Sequence, residues 1–245
     1  MNYEIETLMD AAKSIKPNDL DSLKVLSNDE EYYPGMFCGT AFFPYGKGVW
    51  KNVKFPIGGI MVLGHDFGHT PYIDSCKKES NKYVDEDLEG KTWKGISNWF
   101  GIYGDLFYTN AFFTNAYMGI RNDKTKITGE INRGKDFTKK CYDILKLQID
   151  KQQPKVIFTL GIAPFKALEN TYSFFKYDKT FRTFKVNDLT FVNHVDKNPI
   201  HEIDFGFGYS TKIIALKHPS ARNPKSRNFQ IDHNSLIDEG LSLFK

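Results

Sequence analysis

The sequence contains few cysteines, no long apolar run and little excess charge of either sign, and each shortage excludes a class of protein. Its three cysteines, Cys38, Cys76 and Cys141, are too few and too widely spaced for a disulfide framework or a four-cysteine zinc or iron–sulfur site. No apolar stretch approaches the roughly 18 residues of a membrane span, and residues 1–6 lack the basic and apolar segments of a signal peptide. We therefore expect a soluble, cytoplasmic protein with reduced thiols and no membrane association.

Charge is nearly balanced over the whole chain but unevenly distributed along it. The net charge of +3 is too small to imply a nucleic-acid partner. Residues 212–227, however, contain basic side chains and no carboxylate. The basic residues are Lys212, Lys217, Arg222, Lys225 and Arg227. Such a run is either a solvated basic face or, where it adjoins a site, a phosphate-binding surface.

Length and hydrophobic pattern favour a single domain of the α/β class. The 245 residues suit one sizeable core, which we assign to residues 1–245, with an N-terminal extension over 1–56 packed on it. Strand-like runs alternate with helically spaced apolar residues, which predicts a three-layer α/β/α fold with a mainly parallel central sheet. The predicted strands cover 57–63, 106–110, 155–160, 189–195 and 212–217. The predicted helices cover 5–12, 93–99, 137–153, 165–168 and 229–241.

Two short polar loops follow two of these apolar strands. Residues 64–69 read Gly-His-Asp-Phe-Gly-His after the first, and residues 218–221 read His-Pro-Ser-Ala after the last. In an open parallel sheet, ligands bind outside the carboxyl ends of the strands. Asp66 and His218 are therefore expected to face one crevice.

These loops carry a resemblance to the uracil-DNA glycosylase superfamily. Residues 64–69 resemble its first motif, Gly-Gln-Asp-Pro-Tyr-His in one branch, and residues 218–221 resemble its His-Pro-Ser motif. Residues 107–111 resemble the strand that carries the base-reading Asn, and residues 141–168 are similar to the bacterial and archaeal iron–sulfur branch. The resemblance implies a uracil-DNA glycosylase-like fold and a monofunctional hydrolase that removes uracil, with 5-substituted uracil and mismatched thymine as further candidate bases.

The resemblance also implies roles for three polar residues. Asp66 would position the attacking water and stabilise the cationic sugar, and His218 would donate a hydrogen bond to the base oxygen that gains charge. Asn110 would read the base, because one amide carries both a donor and an acceptor. Each has a simpler interpretation: Asp66 as a turn residue, His218 as a loop residue, and Asn110 as a strand-ending residue bonded to its own backbone.

An aromatic side chain must also stack on the extruded base. Trp93 lies where related families place a Phe, and Phe67 is the alternative, although a Trp more often packs in a core. Gly68 stands where strict uracil enzymes have a Tyr that blocks the methyl group of thymine. Its presence indicates either a roomier pocket or a backbone conformation that requires glycine.

The expected partner is DNA that contains uracil or a related base, bound by a monomer. The residues expected to contact DNA are Lys217, Ser220, Arg222, Lys225 and Arg227. No cofactor is expected: Cys141 resembles one iron–sulfur ligand, but the paired N-terminal cysteines of that branch are missing.

Two other function classes remain open. The first is a metal-dependent phosphoesterase, which would use His65, Asp66, His69 and His218 as ligands. The second is a non-catalytic nucleic-acid-binding protein on the same fold. Activity in the presence of a chelator would argue against the first, and release of a base from DNA would argue against the second.

Overall fold

A computed structural model describes the chain in segments: residues 7–8, 10–11, 23–24, 31–33, 40–41, 54–69, 71, 82–84, 91–121, 134–172, 199–219 and 233–245. The predicted strand at 189–195 and the start of the last predicted helix, including Phe229, lie outside these residues. Leu8, near the amino terminus, is fully buried in the core.

The described strands, in chain order, are β1 (Leu23–Lys24), β2 (Glu31–Tyr33), β3 (Thr40–Ala41), β4 (Ile60–Gly64), β5 (Lys82–Val84), β6 (Ala111–Asn115), β7 (Ile120–Arg121), β8 (Val156–Leu160), β9 (Ile200–Asp204) and β10 (Ser210–Leu216). Six of them form the central sheet in the order β3-β6-β4-β8-β10-β9. All neighbours in this sheet are parallel except β9, which runs antiparallel to β10. The mainly parallel sheet predicted from the sequence is confirmed.

The described helices are α1 (Lys91–Phe100), α2 (Asp105–Tyr108), α3 (Lys135–Gln152), α4 (Ile162–Tyr172) and α5 (His233–Leu241), with short 3-10 helices at Gly101–Tyr103 and Ser242–Phe244. In the segments that the structure describes, no helix combines the length and apolar character needed to cross a membrane. The last four predicted helices overlap α1, α3, α4 and α5, because the apolar residues of these segments repeat at helical spacing.

The sheet is buried between helices on both faces. Successive residues of a strand point to opposite faces, so Met61 and Leu63 pack with α3 and α4, whereas Ile60 and Val62 pack with α1, α2 and α5. Strands buried on both faces need apolar residues at every position, which explains the continuous apolar runs in the sequence. The fold is the expected three-layer α/β/α arrangement.

The predicted strand at 106–110 is wrong. Residues 105–108 form α2 instead, and the strand begins at Ala111. Phe107 is fully buried and stacks on Phe100 at a centroid separation of 4.3 Å, so its apolar character serves helix packing. A short apolar run is compatible with the residue spacing of a helix and with that of a strand, and here the contacts with α1 stabilise the helix.

The antiparallel strand β9 was not predicted. It joins β10 through a turn in which Gly206 donates its backbone N–H to Asp204 Oδ1 at 2.7 Å. From His201 to Asp204 its residues alternate between half-buried and exposed, which is typical of an edge strand rather than a buried parallel strand.

Candidate active site

Four parallel strands bring their carboxyl ends to one edge of the sheet. The register pairs Gly64 of β4 with Asn115 of β6, and Leu216 of β10 with Leu160 of β8. The two polar loops identified from the sequence therefore leave the same edge, one after β4 and the other after β10. This edge is where ligands bind in open α/β sheets.

The Asp66 carboxylate lies at the centre of the first loop and is almost completely buried. Its Oδ1 accepts the backbone N–H of Gly68 at 3.0 Å, and its Oδ2 lies 3.1 Å from Nε of Arg121. The same oxygen lies 3.8 Å from Nδ1 of His65. A buried carboxylate requires such partners, because an unpaired charge away from water is very costly.

The first loop is held by backbone hydrogen bonds to the segment that follows β6. Tyr117 donates to the carbonyl of His65 at 3.0 Å, and Arg121 donates to the carbonyl of Gly68 at 2.8 Å. Between them, Phe67 donates to Gly119 at 3.3 Å, and the Phe67 ring is partly buried against the α3 side of the core. The backbone hydrogen bonding between β4 and β6 therefore continues into the first loop.

The end of β10 and the start of the second loop, residues 216–218, are held from two sides. Gly161, which follows β8, donates its backbone N–H to the carbonyl of Leu216 at 2.8 Å. Gly161 has a φ of +93°, which favours glycine, and a Cβ there would make a tight contact of 3.1 Å with Cβ of His218. On the other side, His233 Nε2 accepts the backbone N–H of Lys217 at 3.2 Å, while its ring stacks on Trp99.

His218 is close enough to Asp66 and Arg121 to respond to both charges. Burial lowers the pKa of His218 from its ordinary value of 6.5, the Asp66 carboxylate partly offsets this by raising it, and the Arg121 guanidinium lowers it. This direction of the pKa shift favours the neutral form of the His218 imidazole at pH 7. A neutral imidazole carries one N–H donor, which is suited to binding an oxygen that becomes negatively charged.

Asn110 is not brought to this edge. It lies just before β6, and its Nδ2 donates to the carbonyl of Leu106 at 2.8 Å. Five residues of extended chain separate it from the carboxyl end of the strand, a distance of about 16 Å. The simpler interpretation, an Asn bonded to its local backbone, describes this residue.

Asn115 occupies the position expected for Asn110. It is the last residue of β6. A Cβ added at Gly64 would collide with the side-chain oxygen of Asn115, so the two residues are in close contact. The sequence contained a signal for this residue, since residues 111–113 form an apolar run that polar residues follow, as in β4. Arg121 had no comparable signal, because nothing in the sequence links it to Asp66.

Gly68, Trp93 and most of the proposed DNA contacts are the other site residues predicted from the sequence. Gly68 adopts a φ of +88°, a conformation that favours glycine whatever the pocket contains. Trp93 lies in the first turn of α1, and this helix contacts the second loop through Gly95 and Pro219. The proposed DNA contacts at Ser220, Arg222, Lys225 and Arg227 lie outside the described residues.

The four residues considered as metal ligands all lie in the described part of the chain. In the described segments, which include His65, Asp66, His69 and His218, no group of three or more His, Cys, Asp or Glu side chains is arranged to hold a metal ion. Cys141, the residue similar to an iron–sulfur ligand, is buried in α3, and its Sγ accepts the backbone N–H of Met118 at 3.4 Å.

Comparison with known proteins identifies a family. No curated protein matches the chain in sequence. The family model described as "Uracil DNA glycosylase superfamily" matches residues 61–237, a span that begins in β4 and ends in α5. It includes both loops and all four strands that lead into the site. The chain therefore belongs to the uracil DNA glycosylase superfamily.

Proposed function

We propose that this protein is a monofunctional DNA glycosylase that hydrolyses the N-glycosidic bond of uracil in DNA. The observation that carries the proposal is the buried Asp66 carboxylate within electrostatic reach of a neutral His218, on loops from two strands of one sheet. An anionic group and a hydrogen-bond donor are the pair that this reaction needs.

The reaction breaks the bond between C1′ of deoxyribose and the base nitrogen. The sugar becomes cationic while the bonding electrons leave with the pyrimidine. Asp66 orients a water molecule toward C1′ and accepts a hydrogen bond from it, which favours attack on the cationic sugar. The new bond joins the water oxygen to C1′, and the Asp66 carboxylate receives the proton that the water loses.

His218 acts on the departing base. Negative charge grows on a pyrimidine oxygen as the bond breaks, and a hydrogen bond to a charged acceptor is stronger than one to a neutral carbonyl. His218 therefore stabilises the transition state more than the bound substrate, which is the condition for faster chemistry. Its lowered pKa favours the neutral donor form at pH 7.

Base recognition and DNA binding involve further residues. We assign base reading to Asn115 rather than Asn110, because only Asn115 lies at the carboxyl edge of the sheet. Phe67 and Trp93 remain the two candidates for stacking on the base. Lys217 and four residues of the following segment are proposed to contact DNA phosphates. These are Ser220 as a hydrogen-bond donor and Arg222, Lys225 and Arg227 as cations.

Excision assays with single-base substrates test the proposal. Oligonucleotides that carry uracil, hydroxymethyluracil, hypoxanthine or mismatched thymine are incubated with the protein in a chelator and then cleaved with alkali at abasic sites. We expect release of uracil, and we expect Asp66→Asn and His218→Ala each to slow single-turnover excision by on the order of 100-fold or more. Asn110→Ala is the matched control for Asn115→Ala, since only the second variant should lose discrimination between uracil and cytosine.

Three outcomes would contradict the proposal. DNA that is bound yet remains resistant to alkali indicates a non-catalytic nucleic-acid-binding protein. Cleavage that requires divalent ions indicates a phosphoesterase. Near-normal rates in correctly folded Asp66→Asn and His218→Ala variants would remove both residues from the mechanism.

A further inference from the structure

The carboxylate of the candidate active site has a buried cationic partner. Arg121 ends β7, and its Nε lies 3.1 Å from Asp66 Oδ2. Only 11% of the Arg121 side chain and 3% of the Asp66 side chain are exposed. Opposite charges attract more strongly where water is excluded, and loss of one partner leaves the other charge buried and uncompensated. This pair is therefore unlike an ordinary surface ion pair, which contributes little.

The two carboxylate oxygens of Asp66 are held by different groups. Oδ1 accepts the N–H of Gly68, and Oδ2 faces Arg121. The backbone N–H of Arg121 also donates to the carbonyl of Gly68, so both partners belong to one hydrogen-bonded unit.

We propose that Arg121 is the positioning residue for Asp66, holding the carboxylate in the orientation in which it directs the attacking water. This inference rests on the glycosylase function proposed above. Because the pair is formally neutral, Asp66 stabilises the cationic sugar less than an unpaired carboxylate would. Orientation of the water is therefore its main contribution.

A phosphate contact is the main competing role for an arginine in a DNA-binding protein. The Nε of Arg121 is fully enclosed, whereas DNA phosphates remain at the protein surface. The competing role predicts weaker DNA binding in an Arg121 variant and a smaller salt dependence. The positioning role predicts slower chemistry with unchanged DNA affinity.

The test compares Arg121→Met with Lys212→Met. Lys212 is a matched control, because it also forms an ion pair, with Glu239, and its side chain is 17% exposed. It lies in β10 opposite Val156, away from the site edge. We expect Arg121→Met to slow single-turnover excision of uracil by on the order of 100-fold with unchanged Kd for DNA, and Lys212→Met to change neither.

A double-mutant cycle separates positioning from a general structural role. If Arg121 acts through Asp66, adding Arg121→Met to Asp66→Asn causes no further loss of rate. A second loss as large as the first would overturn the proposal. Should Arg121→Met fail to fold, Arg121→Lys serves instead, because it retains the charge but not the planar geometry of the guanidinium. We expect it to remain at least about 10-fold slow, and a full rate would contradict the proposal.

Titration of His218 by NMR tests the site without any need for activity. The charged groups in the described chain that act on His218 are Asp66 and Arg121. Removal of Arg121 should raise the pKa of His218, removal of Asp66 should lower it, and Lys212→Met should leave it unchanged. An unchanged pKa in Arg121→Met would overturn the inference. If the titrations behave as expected but no base is excised, the proposed function fails while the arrangement of the pair stands.

Discussion

At the scale of single residues, Gly68 shows how one position can serve the backbone rather than the substrate. Its N–H donates to Asp66, its carbonyl accepts from Arg121, and its φ is +88°. Any side chain here carries strain of about 1–3 kcal/mol. A shift of the backbone that relieved this strain would displace Asp66 and Arg121. The backbone conformation is therefore sufficient to explain why glycine occupies this position.

A substrate panel tests this explanation. We expect Gly68→Ala and Gly68→Tyr to slow excision of uracil and hydroxymethyluracil in equal proportion, because the damage is to Asp66 and not to one edge of the pocket. Gly206→Ala is the control: Gly206 has a φ of +87°, a Cβ added there would meet no atom within 4 Å, and it lies in the turn before the amino end of β10. Selective loss of hydroxymethyluracil in Gly68→Tyr would instead favour the roomier pocket.

At the scale of elements, α1 and the second loop depend on each other. A Cβ on Gly95 would lie 2.5 Å from Cβ of Pro219, the residue after His218. The helix therefore approaches the loop more closely than any residue with a side chain would allow. On the same helix, Trp99 stacks on His233, which accepts the N–H of Lys217, so α1 supports the loop at two points.

Glycine-to-alanine substitutions measure this dependence. Alanine usually stabilises a helix by up to about 1 kcal/mol relative to glycine. We expect Gly95→Ala to do the opposite, lowering the free energy of unfolding and slowing excision, because the methyl group displaces Pro219 and His218. Gly101→Ala is the control, since the nearest atom to its Cβ is Ser97 Oγ at an ordinary 3.5 Å. Equal rates in the two variants would show that the contact does not position His218.

At the scale of the whole molecule, the small net charge of +3 conceals an uneven distribution. Lys212 lies in β10, and Lys217 is the first residue after it. Lys212 pairs with Glu239 near the amino end of β10, whereas Lys217 lies at the carboxyl end beside His218. Of the two, Lys217 is the one that adjoins the candidate site.

The salt dependence of DNA binding tests this difference. We expect binding to weaken as salt increases, because cationic side chains release counterions from the phosphates. Lys217→Gln should reduce the magnitude of the log–log slope by about one, as should neutralisation of Arg222, Lys225 or Arg227. Lys212→Gln should leave the slope unchanged. Equal slopes for the Lys217 and Lys212 variants would indicate that the basic run is a solvated surface.

Sequence alone determined the layered architecture and the two loops that carry Asp66 and His218. The reason is local: fully buried parallel strands need continuous apolar runs, and the polar residues that follow them mark the functional edge. It also identified the family, because the chemistry requires particular residue types in a particular order. The error at 106–110 arose where a short apolar run suits a helix and a strand equally well.

Only the tertiary structure decided which Asn reaches the site and which cation accompanies Asp66. Asn110 and Asn115 are chemically identical, and the bounds of β6 with its parallel register to β4 determine that Asn115 lies at the carboxyl edge. Arg121 meets Asp66 from a distant part of the chain because the segment after β6 pairs with the first loop. Contacts between residues distant in sequence depend on how elements pack, and no local pattern records them.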